Sequence, residues 1–190
     1  MKNQTRVILR PLEESDLERT HRWHNDPKLY ATLGDAFRPV SKVAELEWLR
    51  RKAAYSASEI NLAICLQPKS QHIGNIYLRE INWIARRAVL HIFLGNGDFR
   101  GRGFGEQAVR QLLVYAFRGL NLHRIYLETL AANVPAIKTF EKCGFKTEGR
   151  LRQHVFKNGG YQDMLVMGLC AEDFEPHALP TSRPDGLPVR

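Results

Sequence analysis

Runs of apolar residues along the chain predict seven β-strands. They cover residues 7–12, 61–66, 71–81, 88–94, 124–129, 145–156 and 161–170. The run at 88–94 is apolar at nearly every position, which is typical of a central strand buried on both faces. The last two runs are separated by Asn158-Gly159-Gly160, which predicts a hairpin turn.

The first half of the chain also carries signals for two helices. One begins with the Ser15-x-x-Glu18 spacing of a capping box and ends at about His24, before Asn25-Asp26-Pro27. The stretch 29–39 has no clear period and is expected to be a loop. The second helix is expected to begin at the N-cap Ser41. Its apolar stripe would consist of Val43, Leu46, Leu49 and Ala53.

Two more helices are predicted in the second half of the chain. The third follows a glycine-rich segment, residues 95–105, and ends near Gly119. The fourth begins at the N-cap Asn133 and ends at Gly144. The elements therefore follow the order βααβββαβαββ. The apolar stripe of the third helix consists of Val109, Leu112, Leu113 and Ala116.

Composition and charge narrow the class of protein. The 190 residues are 44 % hydrophobic and 25 % charged, which excludes a disordered, fibrous or membrane-embedded chain. Lys and Arg number 28 against 20 Asp and Glu, a net charge of +8 that suggests a polyanionic partner. Three cysteines without a C-x-x-C pair predict no zinc site, and no apolar leader is visible, so a cytoplasmic protein is expected.

The basic surplus is concentrated in one domain, residues 1–171. Residues 172–190 contain four prolines and four acidic residues against two arginines, which predicts a peripheral or disordered tail. Without the last twenty residues the chain holds 26 basic and 16 acidic residues, a net charge of +10.

A glycine-rich turn, Arg100-Gly101-Arg102-Gly103-Phe104-Gly105, lies between a predicted buried strand and a helix. Such a turn points backbone N–H groups at an anion, because the first turn of a helix has unpaired donors. The dinucleotide-binding and Walker patterns both fail at Glu106. Taken alone, the turn is equally compatible with a phosphate site and with a turn shaped only by packing.

A second motif, N-x-x-A-x-x-x-F-x-K-x-G-F, starts at Asn133 and ends at Phe145. The two motifs, in this order and separated by one helix and one strand, resemble those of the GNAT superfamily of acetyl-CoA-dependent N-acetyltransferases. The element order matches over residues 6–171. The segments LRPLEESDLE, RWHNDP and EGRLRQHVFKNGGYQD are similar to the branch of ribosomal-protein N-terminal, spermidine and nucleotide-linked amino-sugar acetyltransferases. The resemblance implies a GNAT-like α/β (α+β) domain with a mixed, mostly antiparallel sheet.

The resemblance also implies where acetyl-CoA binds, without a metal. The strand before the turn would pair with pantetheine, and the turn would hold the pyrophosphate through main-chain N–H groups. Asn133 would contact the cofactor or only cap its helix, and Phe140 would flank the thiol or only pack in the core. The implied cofactor-binding residues are Phe93, Leu94, Gly95, Arg100, Gly101, Arg102, Gly103, Phe104, Gly105, Asn133 and Phe140.

The sequence indicates the residues for proton transfer less clearly than those for cofactor binding. Phe140 stands where many relatives have a tyrosine proposed to protonate the leaving thiolate, and a phenyl ring cannot donate a proton. The catalytic candidates are Glu80, His91 and Tyr161. Each also has a structural alternative: Glu80 as a solvated edge residue, His91 as a hydrogen-bonded core histidine, and Tyr161 as a turn residue. His91 lies two residues after Val89, where the related branch often has glutamate.

The function implied by the resemblance is transfer of an acetyl group from acetyl-CoA to a primary amine by direct attack. The basic charge favours a nucleotide-linked amino sugar or a protein N-terminal amine over a polyamine as acceptor. Trp23 and Asn25 would line the acceptor pocket or only pack a helix end. A homodimer is compatible with the sequence, and a membrane partner is not expected.

Two other classes of function stay open. A catalytically weak acyl-CoA sensor is compatible with Phe140. A nucleic-acid-binding module would suit the pI of about 9.6, but no motif for it is visible. Contact with nucleic acid is therefore expected only indirectly, through a ribosomal acceptor.

Overall fold

A computed structural model describes residues 6–175, in which seven strands and five α-helices form. The helices are α1 (Leu17–His24), α2 (Pro27–Tyr30), α3 (Lys42–Ala53), α4 (Phe104–Val114) and α5 (Val134–Lys142). The strands are β1 (Arg6–Pro11), β2 (Ile60–Gln67), β3 (Gln71–Asn82), β4 (Arg87–Leu94), β5 (Arg124–Leu130), β6 (Lys146–Lys157) and β7 (Gly160–Cys170).

All seven strands belong to one sheet, in the order β1-β2-β3-β4-β5-β7-β6. Neighbouring strands are antiparallel, with the exception of β4 and β5, which are parallel. This confirms the predicted α/β fold with a mixed, mostly antiparallel sheet. The expectation for β4 is right in part, because Ala88, Val89 and Leu90 are buried whereas residues 91–94 are only half-buried.

Helices cover both faces of the sheet. The stripe predicted on α4 is fully buried on one face, where Val109, Leu112 and Leu113 pack with Ile76 and Leu90. The opposite face packs against α1 and α3 through a smaller cluster. Side chains alternate along a strand, so successive residues of β4 point into different clusters. The smaller cluster contains Leu12, Leu49, Ala63, Cys65 and Tyr77, with Trp48 and Phe93 packed against it.

The start of the first helix differs from the prediction. Ser15 does not cap it; the Asp16 carboxylate instead accepts a hydrogen bond from the Glu13 backbone N–H at 3.0 Å. A 3₁₀ turn, Glu14–Asp16, therefore precedes α1. The physical reason is that Asp16 is drawn inward by Arg10, with N–O distances of 2.7 and 2.8 Å.

Helix α2 lies partly in the stretch expected to be a loop. Asp26 caps it by accepting a hydrogen bond from the Lys28 N–H at 2.9 Å, and Pro27 is its first residue. Proline is well tolerated at that position, so the Asp26-Pro27 pair starts a new helix as well as ending α1.

Helix α3 begins at Ser41 as predicted, with the Ala44 N–H donating to the Ser41 hydroxyl at 3.2 Å. Its stripe is shifted, because Val43 is 70 % exposed while Glu45 and Leu49 are buried. The inward position of Glu45 is explained by a hydrogen bond with His24.

The packed structure continues beyond the predicted domain boundary at residue 171. The Phe174 ring is buried and lies 5.3 Å from the ring of Phe117. The rest of the predicted tail, residues 176–190, lies outside the described residues. Within 6–175 no helix is both long and apolar enough to cross a membrane.

Candidate active site

The two parallel strands in the middle of the sheet separate from each other. Backbone pairing between β4 and β5 joins Arg87–Val89 to Arg124–Tyr126 and covers only these three residue pairs. Beyond Val89 the strands diverge, although β4 continues to Leu94 and β5 to Leu130. A cleft of about 900 Å³ opens at this position.

The glycine-rich turn closes one end of the cleft. Gly103 is the N-cap of α4 in the left-handed conformation, with φ +79°, and Gly101 has φ +71°. Both angles favour glycine. No side chain caps α4, so its first N–H groups are free to bind an anion, and the residues that carry them, Phe104 and Gly105, line the cleft.

Basic side chains surround this end. Arg100, Lys138 and Lys142 line the cleft, with Glu106 as the acidic residue among them. The Arg100 guanidinium donates to the Leu94 carbonyl at 3.3 Å, which connects the turn to the end of β4. The positive charge therefore lies where the turn presents its N–H groups.

Most of the predicted cofactor-binding residues meet at this cleft. Those that line it are Phe93, Leu94, Arg100, Gly101, Gly103, Phe104, Gly105, Asn133 and Phe140. Gly95 and Arg102 lie outside the lining. Gly95 is buried against Trp23, and the Arg102 guanidinium lies 5.1 Å from the centre of the Phe104 ring. Their roles toward a cofactor stay predictions.

Asn133 has two structural contacts. Its side-chain oxygen accepts from the Ala136 N–H at 3.3 Å, as an N-cap of α5 does, and its amide group donates to the Thr32 carbonyl at 3.0 Å. Phe140 is 6 % exposed and packs edge-on against Phe145 with ring centres 5.9 Å apart. Both residues thus have a packing role in addition to lining the cleft.

The other half of the cleft lies on the α3 side of the sheet. It is lined by His24, Tyr30, Asp35, Trp48, Tyr77, Arg79, His91, Phe93 and Glu128. His91 and Phe93 are alternate residues of β4 and share this face, and Tyr77 of β3 is paired with His91. This half therefore combines aromatic rings with a few titratable groups.

The electrostatics of this half follow from burial. Burial, and next the positive charge of Arg79, lower the pKa of His91, so its imidazole is uncharged at neutral pH. Burial raises the pKa of Tyr77 well above its usual value. The Tyr77 hydroxyl has no hydrogen-bond partner within residues 6–175.

The three residues predicted for proton transfer are not brought together. His91 lines the cleft, but Glu80 is exposed with φ +52° in an irregular stretch of β3. Tyr161 is 69 % exposed, and its ring lies 5.3 Å from that of Phe156. Catalytic roles for these residues stay predictions, and the geometry favours His91 among them.

Trp23 and Asn25 support the helix end. Trp23 is buried against the rings of His72 and Phe93, 4.8 and 5.9 Å away. The Asn25 side chain donates to and accepts from the backbone of Val40 at 3.0 Å. Neither lines the cleft.

Sequence reasoning missed several polar residues of the cleft, above all His24, Asp35 and Glu128. The available signal was the histidine of the RWHNDP segment, which directly precedes the helix-ending Asn25-Asp26-Pro27. Its partner Glu45 gave a second signal, an acidic residue on the inward side of an amphipathic helix. In the described part of the chain, no group of three or more His, Cys, Asp or Glu side chains could hold a metal ion.

The sequence matches the family described as acetyltransferase (GNAT) domain over residues 6–146. The chain belongs to this family. Residues of both motifs, from the glycine turn to Phe145, lie inside the matched range. The GNAT assignment agrees with the strand separation and with the uncapped α4 terminus, and it makes the chain an acetyl-CoA-dependent N-acetyltransferase.

Two curated relatives and one solved structure show how this GNAT chain compares. It is 34 % identical to spermidine N(1)-acetyltransferase of Vibrio cholerae over 86 % of the chain and 92 % of that protein. It is 31 % identical to spermidine N(1)-acetyltransferase of Escherichia coli over 85 % of the chain and 84 % of that protein. The crystal structure of spermidine N-acetyltransferase from Vibrio cholerae with CoA and spermine superposes with a TM-score of 0.80 and 32 % identity, covering 88 % of this chain and 97 % of that one.

Proposed function

We propose that this GNAT enzyme acetylates a small aliphatic amine that reaches the cleft as a cation, with polyamines as the first candidate class. The observation that carries the proposal is the division of charge along the cleft. Arg100, Lys138 and Lys142 lie at the turn end, whereas the carboxylates Asp35 and Glu128 lie at the other. A basic end suits the phosphates of coenzyme A, and an acidic end suits an ammonium group.

This division changes the meaning of the net charge. Averaged over the whole surface, the net charge of +8 disfavours a polycationic acceptor. Within the cleft, basic groups are concentrated at the cofactor end, and Arg79 is the cation among the acceptor-side residues. The spermidine acetyltransferases of Vibrio cholerae and Escherichia coli, at 34 and 31 % identity, support the same acceptor class.

Acetyl-CoA would supply an activated acyl group, and the residues of this chain would position it. The free N–H groups of α4 and the basic side chains would hold its phosphates. Gly95 donates its N–H to the Ile73 carbonyl of β3 at 2.9 Å. Because N–H directions alternate along a strand, the Leu94 N–H points away from β3 and into the gap toward β5. That N–H is placed to stabilise an oxyanion at the thioester carbonyl.

Two demands on the chain remain. A proton must be removed from the ammonium before its nitrogen can attack, and the leaving thiolate must be neutralised or released. Phe140 cannot donate a proton, so thiolate neutralisation falls to solvent or to another group of the cleft. Histidine side chains that line the cleft could meet the first demand, and burial keeps the imidazole of one of them, His91, uncharged at neutral pH by lowering its pKa.

The experiment is an acceptor panel with the purified full chain. Thiol release from acetyl-CoA is measured with spermidine, with a peptide carrying a free N-terminal amine, and with a nucleotide-linked amino sugar. We expect release with the polyamine. Release only with the peptide or the sugar would show that the acceptor class is wrong. Acetyl-CoA binding without release for any amine would favour a catalytically weak acyl-CoA sensor.

A further inference from the structure

We propose that His24, held by the buried carboxylate of Glu45, accepts the proton of the acceptor ammonium. The inference rests on the proposed function and assigns a step of that reaction to residues outside the two sequence motifs.

The first support is the geometry of the pair. His24 is the last residue of α1, and Glu45 lies in the first turn of α3. The His24 Nδ1 atom lies 2.6 Å from the Glu45 carboxylate, whose side chain is 1 % exposed. A carboxylate that accepts from Nδ1–H fixes the imidazole tautomer and leaves the lone pair on Nε2, as in the serine-hydrolase triad.

The second support is the position of the ring. The centre of the His24 imidazole lies 4.5 Å from that of Trp48, edge to face, and 6.3 Å from that of Phe93. Phe93 is part of the strand segment that has separated from β5, next to Leu94. His24 lines the cleft there, and its Nε2 atom makes no hydrogen bond to any residue in the range 6–175.

The third support is the isolation of Glu45. One of its carboxylate oxygens is bonded to His24, and the other is buried without a hydrogen-bond partner in the described structure. A buried carboxylate is costly unless it is paired with a cation. Protonation of His24 during the reaction would supply that cation, so the pair is suited to hold a transferred proton.

The step balances without a co-reactant. The N–H bond of the substrate ammonium breaks, its proton moves to Nε2 of His24, and the electron pair stays on the amine nitrogen. That pair forms the new bond to the acetyl carbon, and the carbon–sulfur bond breaks with its electrons on sulfur. The nitrogen, now positively charged, loses a second proton to the thiolate, directly or through solvent, which leaves a neutral amide and the free thiol. The proton on His24 then leaves to solvent.

His91 is the competing base, and its surroundings differ. Among residues 6–175 no carboxylate is hydrogen-bonded to its ring, and burial and Arg79 lower its pKa by more than the carboxylates of Asp35 and Glu80 raise it. An isolated, buried imidazole is a poor place to hold a proton. The titratable or charged groups around the acceptor half of the cleft are Tyr30, Asp35, Glu45, Tyr77, Arg79, His91 and Glu128.

The test compares two histidine variants and one control in steady-state kinetics with the amine that the wild type accepts. His24→Gln should lower kcat by about 100-fold or more while leaving the KM for acetyl-CoA unchanged. It should also remove the acid limb of the pH profile of kcat/KM for the amine. His91→Gln should reduce kcat much less. The control His123→Gln changes an exposed histidine directly before β5 that does not line the cleft, and should match the wild type.

Glu45 is a positioning residue, so its test needs a readout that a packing defect would not change. Glu45→Gln should lower kcat by about tenfold and move the acid limb of kcat/KM to lower pH, because the imidazolium loses its partner. Added imidazole should restore part of the activity of His24→Ala. A general loss of stability would give neither result.

The outcomes separate the two proposals. A wild type that acetylates an amine, with His24→Gln within about twofold of it and His91→Gln inactive, would overturn the assignment of His24 and leave the enzyme function intact. A wild type that acetylates no amine would overturn the proposed function itself, and the step assigned to His24 with it. Acetyl-CoA affinity and circular dichroism show whether a variant has lost its fold. If His24→Gln has lost its fold, the rescue of His24→Ala by imidazole decides whether His24 accepts the proton.

Discussion

The indole ring of Trp23 occupies the space that a side chain would need on Gly95. A Cβ atom built on Gly95 would overlap the indole of Trp23. Trp23 lies in α1 and Gly95 follows the last residue of β4, so this contact fixes the helix against the end of the strand that borders the cleft. Gly95 is therefore required by packing, whatever its role toward the cofactor.

Gly95→Ala should destabilise the protein by about 1–3 kcal/mol, because a methyl group is forced into a packed aromatic ring. It should also weaken acetyl-CoA binding, since the end of β4 must shift. Gly97→Ala is the matched control, because a Cβ there has no neighbour within 4 Å. Chemical denaturation of the two variants measures the difference. Equal stability would contradict the contact described above.

The glycine turn allows stability and ligand binding to be tested separately. Gly105 has ordinary helical geometry and no atom within 4 Å of a built Cβ. Gly105→Ala should therefore stabilise α4 by up to about 1 kcal/mol and weaken acetyl-CoA binding by about tenfold. Gly103→Ala should instead lower stability, because φ of +79° strains alanine. Calorimetric titration with acetyl-CoA measures binding. Unchanged affinity in Gly105→Ala would mean that the phosphates do not approach this turn.

Lys157 anchors the loop on the acceptor side of the cleft. Its ammonium group is buried, and it donates to the carbonyl groups of Tyr30 at 2.8 Å and Asp35 at 2.6 Å. Lys157→Met should raise the KM for the amine and leave the acetyl-CoA affinity unchanged, because only the acceptor half loses support. Lys146→Met, at the exposed start of the same strand, is the control. A rise in both constants would show a wider structural effect.

Asp16 should make stability depend on acidity. Burial alone would raise its pKa, but hydrogen bonds from Arg10 and from the Glu13 backbone N–H, with His72 Nδ1 2.9 Å away, outweigh burial and hold that pKa well below its usual value. The carboxylate therefore stabilises the fold at neutral pH, and this contribution is lost as pH falls below about 4 toward the folded pKa.

Asp16→Asn should lower the free energy of unfolding at neutral pH by about 3 kcal/mol and flatten its decline at acidic pH. Urea denaturation at several pH values measures both effects. The control is Glu14→Gln, which removes the exposed ion pair of Glu14, in the same 3₁₀ turn, with Arg50 of α3. It should change the free energy of unfolding little. Parallel pH dependence in the wild type and Asp16→Asn would exclude this carboxylate as the source.

The sequence predicted the features that depend on interactions between residues close together in the chain. Strand runs and caps such as Ser41 and Asn133 depend on residues near each other in the chain, and the structure confirms them. The glycine turn was predicted as a backbone arrangement for the same reason. The Ser15 cap was wrong because Asp16 is held by Arg10, a contact between two elements that the spacing of Ser15 and Glu18 does not report.

The acceptor side of the cleft depends on contacts between distant segments. His24 and Glu45 are 21 positions apart, and Lys157 is more than 120 positions from the loop that it anchors. No periodicity encodes such pairs. Glu80 lies at an irregularity in β3 that gives it φ +52° and leaves it exposed, so its catalytic role stays a prediction. A candidate chosen from its place along a strand therefore did not reach the cleft lining.

The short pairing between β4 and β5 has a mechanical consequence. Along the backbone, the half of the sheet formed by β1 to β4 is joined to the half formed by β5, β7 and β6 through three residue pairs. The two halves of the sheet are therefore joined to each other over a short distance only. A ligand that lies in the gap and forms hydrogen bonds with the free backbone groups of β4 would extend the contact between the halves. Cofactor binding would therefore also stiffen the sheet, and slower amide hydrogen exchange at Ile92 and Leu94, whose N–H groups face the gap, would report it.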